Sequence, residues 1–339
     1  MKFSSYIALR TAYIVFSLFG LSVLVFVLAR VLPGDPARMA LGPRAPQYAV
    51  DALRKQLRLD QPLYTQYFYW LNDIFHGNLG YSVYTRGSVT TAVVTYLPAS
   101  LELITLAALF EIGGAFLLGV IAGRYSYKWP DNVVRIISYI GISIPAFVMA
   151  IILELLFGLI WPIFPASGNL SVAAPTRITG FVTIDSLITG NFTAFVNVLW
   201  HMILPALALC IGGMMQDARI IRSGMVENQD KDYITMAKCE GLPERQVMFK
   251  YLLKPSIIPA ITVMGLDIAA LLSNAFLVET VFNWPGFSKL GITFMLNKDL
   301  NGIVALVLII GIMYAVINII TDVIVAYLDP RIRLMERGE

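Results

Sequence analysis

The stretch GIVALVLIIGIMYAVINIIT, from Gly302 to Thr321, contains 20 consecutive residues without a charge. A helix needs about 20 apolar residues to cross the hydrocarbon core of a bilayer, so this stretch predicts a transmembrane helix. A second stretch, Ala12–Ala29, has 18 uncharged residues. The whole chain shares this character, since it is 58% hydrophobic and 14% charged, whereas soluble domains are about 25% charged. These proportions predict an integral membrane protein.

The stretch Ala12–Ala29 is interpreted as the first of the predicted membrane spans. A secretory signal peptide is the alternative interpretation of Ala12–Ala29, but the apolar region of such a peptide has only about 7–15 residues. We therefore interpret this stretch as a retained anchor. The predicted fold class is all-α, with about six transmembrane helices. The four further spans are expected at Pro98–Gly123, Val133–Trp161, His201–Ile220 and Ile257–Val281.

The segment between the first and second spans is more polar. It begins with a turn cluster, Pro33-Gly34-Asp35-Pro36, and contains an aromatic run between Tyr64 and Trp70. Aromatic side chains of this kind are enriched at membrane–water interfaces. We therefore predict four parts of the chain: a tail and first helix at 1–32, an extracytoplasmic interfacial domain at 33–97, a membrane core with helices 2–6 at 98–328, and a tail at 329–339.

The basic residues are distributed unevenly between the two sides of the predicted spans. An excess of Lys and Arg marks cytosolic loops. The loop Ile221–Ser256 is rich in them, and three more follow the last span, whereas the short loops on the opposite side contain only Arg177, Lys289 and Lys298. Both termini and the loop Ile221–Ser256 are therefore predicted to be cytosolic.

The composition argues against several classes of function. A net charge of +3 is too small and dispersed for nucleic-acid binding. The only cysteines, Cys210 and Cys239, lack metal-ligand spacing, and His76 and His201 are the only histidines. We expect no catalytic site, no bound metal and no cofactor in this chain.

The loop Ile221–Ser256 contains a helix–turn–helix pattern. Asp230 or Asp232 is a candidate N-cap, Gly241 suits a left-handed C-terminal cap, and Pro243 suits the first turn of a following helix. Two short helices joined by a tight turn are predicted. A partner protein can dock on such a helix, although an ordinary solvated loop is the alternative.

At this point the sequence resembles a known family. Asp232-Tyr233, Ala237, Gly241-Leu242 and Pro259 look like the EAA loop of ABC importer permeases. Further motifs are similar to those of the dipeptide/oligopeptide/nickel branch, and together they cover nearly the whole chain. They are Pro33–Pro36, Gly77–Gly80, Ser82-Val83, Ser143–Phe147, His201–Ala206, Val278–Gly286 and Asp329–Arg333.

This resemblance implies a type I ABC importer (MetI-like) fold and a permease subunit that forms half of a translocation pore for short peptides. It also implies the plasma membrane of a prokaryote and four kinds of partner: a second homologous permease, two ATPase subunits, an extracytoplasmic solute-binding protein and the lipid bilayer. The sequence contains no G-x-x-x-x-G-K-[ST] loop, so ATP and Mg are expected on the ATPase subunits. The coupling residues implied are Asp232, Tyr233, Ala237, Lys238, Glu240, Gly241 and Leu242.

Several acidic residues fall within the predicted spans, where each costs at least about 2.5–3.5 kcal/mol on insertion scales. Glu102, Glu279 and Asp322 lie near span ends, and we expect structural partners for them. Glu111 and Asp267 are the candidates for lining the pore, with a structural hydrogen bond as the alternative.

Two other functions remain open from the residues alone. A proton-coupled carrier would use Glu111 or Asp267 as a relay, although the paired broken helices of such carriers are not visible in the sequence. Within the importer class, oligosaccharides and nickel complexes are alternative solutes.

Overall fold

The computed structural model of the protein describes residues 3–31, 36–42, 44–56 and 58–328. The turn residues Pro33–Asp35 and the tail 329–339 lie outside these residues. Most of the described residues are helical, and the one β-hairpin among them pairs Tyr81–Ser82 (β1) with Gly87–Ser88 (β2). The helices are α1 Phe3–Val31, α2 Pro36–Leu41, α3 Gln47–Gln56, α4 Leu63–Phe75, α5 Val89–Arg124, α6 Trp129–Ser143, α7 Ala146–Leu153, α8 Val182–Ile188, α9 Phe192–Asn228, α10 Asp232–Cys239, α11 Glu244–Gln246, α12 Lys254–Val281, α13 Phe287–Leu296 and α14 Leu300–Leu328.

The prediction of an all-α membrane protein is confirmed. Within the described residues, five helical stretches are long and apolar enough to cross a bilayer, and a bent pair makes a sixth. That pair is the predicted third span. It turns by 106° between α6 and α7. Pro145 is the N-cap residue of α7, and a proline interrupts a helix because it lacks a backbone N–H and clashes with the preceding turn. A π-helical segment, Glu154–Ile160, follows α7.

Helix α9 is the centre of the bundle. It packs against α5, α6, α7, α8 and α12, whereas α1 lies at the periphery against α14. Glycine permits a close contact between α5 and α9, because a Cβ atom at Gly119 would lie 2.7 Å from the Cβ of Ile221. Small residues allow the backbones of membrane helices to approach in this way.

Several predicted span boundaries differ from the structure. The second span was expected to begin at Pro98, but α5 begins at Val89, inside the segment 33–97 that was assigned to the interfacial domain. The fourth span was expected at His201–Ile220, but α9 extends from Phe192 to Asn228. The second short helix of the loop is in fact the start of the fifth span, because α11, a π-helical segment at Val247–Leu253 and α12 form one helical stretch. Basic residues in this stretch suggested a loop, although they are compatible with a helix that leaves the bilayer.

The segment between the first two spans packs back onto α1. Tyr67 and Trp70 of α4 each have ring centroids 5.3 Å from that of Phe26. The β-hairpin is attached to the start of α14, since Ser82 donates a 2.6 Å hydrogen bond to Asp299. The aromatic run therefore contacts a membrane helix.

The acidic residues near span ends have the structural partners that were expected. Glu102 accepts a 2.7 Å hydrogen bond from the Thr183 N–H, and Glu279 accepts one from the Ser100 hydroxyl. Asp322 lies 3.7 Å from Arg10. These contacts join helices that are distant in sequence.

Asp131, in the first turn of α6, is bound to α9. Arg222 contacts it through two nitrogens, with Nε 3.0 Å from Oδ1 and Nη2 2.7 Å from Oδ2. The Tyr127 N–H donates a third hydrogen bond at 2.8 Å. This ion pair fixes the connection between α5 and α6 against the centre of the bundle.

Candidate functional site

Helix α10 is an eight-residue helix that stands between α9 and α11. A Schellman motif ends it. The Gly241 N–H bonds to the Lys238 carbonyl at 3.0 Å, and the Leu242 N–H bonds to the Ala237 carbonyl at 3.3 Å. Gly241 has a φ of 75°, so the left-handed cap predicted from the sequence is confirmed. Pro243 directly precedes α11, as its N-cap.

The N-terminal cap differs from the prediction. Lys231 occupies the N-cap position, without a side-chain hydrogen bond, and Asp232 lies in the first turn of α10. Neither Asp230 nor Asp232 caps the helix by its side chain. The acidic group near the positive end of the helix still interacts favourably with the helix dipole. Tyr233 instead ties α10 to α9, because its hydroxyl donates a 2.9 Å hydrogen bond to Asn228.

The two faces of α10 have different roles. Ile234 and Ala237 are buried against Val247 of the π-helical segment, and Leu242 packs beside them. The outer face is open, with Met236 63% exposed and Tyr233 41% exposed. Of the remaining coupling residues, the exposed ones are Asp232, Lys238, Glu240 and Gly241.

Met236 is an outward-facing residue that the resemblance to the permease family did not single out. A methionine adapts to irregular apolar surfaces, and it lies on the side of α10 away from Ile234. The signal was present in the sequence as helical spacing, since Ile234 and Ala237 share one face and position 236 is on the other.

A second feature lies at the bend of the third span. A cavity of about 340 Å³ lies between the α6–α7 break, α9 and α12. Pro145 and Phe147 line it from one side, and Ser273 and Asn274 from α12. Both α12 residues are exposed on this chain. A polar pair in a membrane span faces a bundle interior or a water-filled path more favourably than lipid.

Three acidic side chains meet directly behind this cavity. Glu111 of α5, Asp217 of α9 and Asp267 of α12 each offer a carboxylate oxygen within 4.8 Å of the others. Gly213 separates the cluster from the cavity, because a Cβ atom at that position would lie 2.6 Å from Glu111 Oε1. Glu111 and Asp217 are fully buried within this chain.

The structure brings together the two candidate pore residues, Glu111 and Asp267, and adds Asp217, which sequence reasoning missed. Asp217 lies within the predicted fourth span, three residues before its end and close in sequence to Arg219 and Arg222, and it was not singled out. The exposure of Glu111 and Asp267 to a pore stays a prediction.

Comparisons with known proteins show the family of the chain. Residues 115–334 match the family model described as binding-protein-dependent transport system inner membrane component, and residues 3–104 match the model for the N-terminal part of such components. The chain is 37% identical to a probable D,D-dipeptide transport system permease protein of Escherichia coli (strain K12), over 98% of both chains.

Two other relatives extend the comparison. A di/tripeptide transport system permease protein of Pseudomonas aeruginosa (strain UCBPP-PA14) is 36% identical over 97% of this chain and 98% of its own. A glutathione transport system permease protein of Escherichia coli O6:H1 is 32% identical over 97% of this chain and 99% of its own. The helical membrane bundle and the matches along nearly the whole chain lead to one assignment: this protein belongs to the family of binding-protein-dependent transport system inner membrane components, as a permease subunit of an ABC importer.

Proposed function

We propose that this chain forms half of the translocation pore for short peptides and receives the energy of ATP hydrolysis through α10. A second homologous permease forms the other half. Two ATPase subunits bind ATP and Mg, and an extracytoplasmic solute-binding protein delivers the peptide. This chain contributes no catalytic group, and family membership argues against the alternative of a proton-coupled carrier.

The observation that supports this proposal best is the geometry of α10. Its inner face is fixed to the start of the fifth span through Ile234, Ala237 and Val247, while Met236 and Tyr233 are open to a partner. A helix held on one face presents the other as a rigid docking surface. Because α11 runs on into α12, movement of α10 is transmitted into the membrane core.

The proposed pore wall is the face of α12 that carries Ser273 and Asn274. Together with the cavity at Pro145, this face supplies polar groups where a lipid-facing helix would be apolar. A second permease that packs against this face encloses a path between the two subunits. Glu111 contacts Gly213, which lines the cavity, and Asp267 lies two turns before Asn274 on α12. Both acids are proposed to shape the path.

The proposed solute is a short peptide. The relatives are named for D,D-dipeptides, di- and tripeptides, and glutathione, which share a peptide backbone and charged ends. Oligosaccharides and nickel complexes remain the alternatives within the same class. The proposed orientation places α10 and both termini in the cytosol of a prokaryote, in agreement with the basic residues of the loop 221–256.

The docking of α10 is tested with Met236→Glu. Burial of a methionine contributes about 1.5–3 kcal/mol, so a charge at this position is expected to weaken ATPase binding by more than about tenfold. The measurements are copurification of the ATPase subunits with the tagged permease, and ATP-dependent uptake of a labelled dipeptide by proteoliposomes that contain all subunits. Both are expected to fall together.

The matched control is Leu296→Glu. Leu296 ends α13 and is 78% exposed, and it lies at the other end of α12 from α10. The substitution Leu296→Glu therefore introduces the same charge away from the proposed docking face. It is expected to retain the ATPase subunits. Normal copurification of the ATPase subunits with Met236→Glu would refute docking on this face, whereas normal docking with no dipeptide uptake by the unaltered complex would refute only the solute.

A further inference from the structure

The cluster of Glu111, Asp217 and Asp267 joins the three helices that form the centre of the membrane core. Each acid comes from a different helix, and the three chain segments meet only through packing of α5, α9 and α12. All three groups carry the same charge when ionised. Their close approach therefore needs a positive charge or protons among them.

The cluster has no such partner within the described part of the protein. Among these residues, both oxygens of Glu111, both oxygens of Asp217 and Oδ2 of Asp267 are buried without a hydrogen bond. No salt bridge between described residues reaches any of the three acids. Glu111 and Asp217 are 0% exposed, so bulk solvent does not contact their carboxylates.

The positions of the carboxylate oxygens favour a shared ligand over a direct hydrogen bond between two of the carboxyl groups. Two carboxyl groups that share a proton approach to about 2.5–2.7 Å, but the buried oxygens here make no hydrogen bond to one another. The donor atoms lie within 4.8 Å of each other. Two oxygens that bind one Ca²⁺ at about 2.4 Å each are at most about 4.8 Å apart, so these separations are compatible with one shared cation.

From this arrangement we infer that Glu111, Asp217 and Asp267 form a binding site for one hard divalent cation, which joins α5, α9 and α12 inside the membrane core. The donor set is entirely carboxylate, which suits Ca²⁺, Mg²⁺ or Mn²⁺ and disfavours the softer metals that select sulfur or imidazole. Cys210 lies one turn before Gly213, but its thiol is directed to the Leu207 carbonyl at 3.6 Å.

A glycine in α9, Gly213, leaves room for this site. Gly213 faces the Glu111 carboxylate, and any larger residue there would displace it, because the distance from a Cβ atom to Glu111 Oε1 would be 2.6 Å. A divalent cation balances two ionised carboxylates, and the third group can remain protonated. The site does not depend on which solute the importer carries.

The test measures Mn²⁺ binding to the purified full-length chain, reconstituted in lipid nanodiscs with its partner subunits. After treatment with a chelator, the protein is titrated with Mn²⁺, and free Mn²⁺ is followed by electron paramagnetic resonance. We expect one Mn²⁺ for each chain, competition by Ca²⁺ or Mg²⁺, and a rise in the thermal unfolding midpoint on binding. Glu111→Gln is expected to weaken binding at least about tenfold, because it removes a charged ligand.

Two comparisons keep the result interpretable. Glu154→Gln removes an acid from a membrane helix outside the cluster and is expected to bind Mn²⁺ normally. If Glu111→Gln does not fold, Asp267→Asn replaces it, since Asp267 is the least buried member. Nucleotide is left out, so that Mn²⁺ bound with nucleotide on the ATPase subunits does not contribute. A wild-type complex that binds no Mn²⁺ at this stoichiometry, or a folded Asp267→Asn variant that binds it unchanged, overturns the site and assigns the cluster to shared protons.

Discussion

Replacement of Asp131 by Asn tests whether a single ion pair holds the α5–α6 connection against α9. Asp131 is 0% exposed and Arg222 is 15% exposed. The change keeps the shape of the side chain but removes the charge that two Arg222 nitrogens contact. The guanidinium is then left partly buried without an anion, and Arg135, 3.8 Å from Asp131, loses the same partner.

The expected loss of stability follows from this burial. Removal of one partner from a buried ion pair costs about 3–5 kcal/mol, and the partial exposure of Arg222 places this case near about 3 kcal/mol. The matched control is Glu244→Gln, which breaks the Arg124–Glu244 pair. That pair has a similar separation of 3.2 Å, but its side chains are 45% and 81% exposed. An exposed pair of this kind contributes about 0.2–1 kcal/mol.

The assay is unfolding of the purified permease in mixed micelles, followed by tryptophan fluorescence. It is applied to Asp131→Asn, Glu244→Gln, Arg222→Met and the double variant Asp131→Asn with Arg222→Met. The double variant removes the stranded charge, so it is expected to recover part of the loss. Equal shifts of the unfolding midpoint for Asp131→Asn and Glu244→Gln would refute the reasoning from burial. Strict additivity of the two single substitutions would refute the direct contact.

Gly119→Leu is expected to destabilise the bundle by about 1–3 kcal/mol, because overpacking forces α5 away from Ile221. Gly113→Leu is the control in the same unfolding assay, since the space around its Cβ position is open. Asp185→Asn tests the loop before α8. Burial raises the pKa of Asp185, but hydrogen bonds from Thr179 and its neighbours outweigh burial and lower it. The carboxylate therefore stabilises the fold above its unfolded pKa of about 3.9 and loses this effect as the pH falls through the folded value. The variant should be less stable than the wild type by about 1.5–3 kcal/mol at pH 7, and the difference should shrink below about pH 4.

The positions of the membrane spans were predictable because uncharged apolar runs of about 20 residues are characteristic of helices that cross a bilayer. Their ends were not. The end of α9 carries Arg219 and Arg222, which suggested a cytosolic loop, yet the helix continues to Asn228. A helix that leaves the bilayer keeps its backbone hydrogen bonds whatever its charge. The Gly241 turn was predictable, since a left-handed residue between two polar helical segments favours glycine.

The contacts between distant segments were not predictable from the pattern of the sequence. Glu111 and Asp267 each stood out as an acid in an apolar run, but nothing local indicates that they meet, or that Asp217 joins them. Their proximity depends on how α5 and α12 rotate against α9, and that rotation is set by packing at positions such as Gly119 and Gly213. The outer face of α10 was assigned by family resemblance, and the structure shows which of its residues point outward.

Helix α10 and the acid cluster are linked by one continuous helical stretch, Glu244–Val281. Val247 contacts α10 and Asp267 lies 20 residues further along the same helical stretch, which is about 30 Å at 1.5 Å per residue and comparable to the thickness of the hydrocarbon core. Under the proposed coupling role of α10, its displacement by an ATPase would move α12 relative to α5 and α9 at the cluster. A cation that binds all three helices stabilises the arrangement in which their carboxylates converge. A ligand shifts a conformational equilibrium only through its different affinity for the two states, and a site whose ligands come from three helices has such a difference whenever the packing of these helices changes. The proposed cation is thus expected to oppose the movement that docking drives.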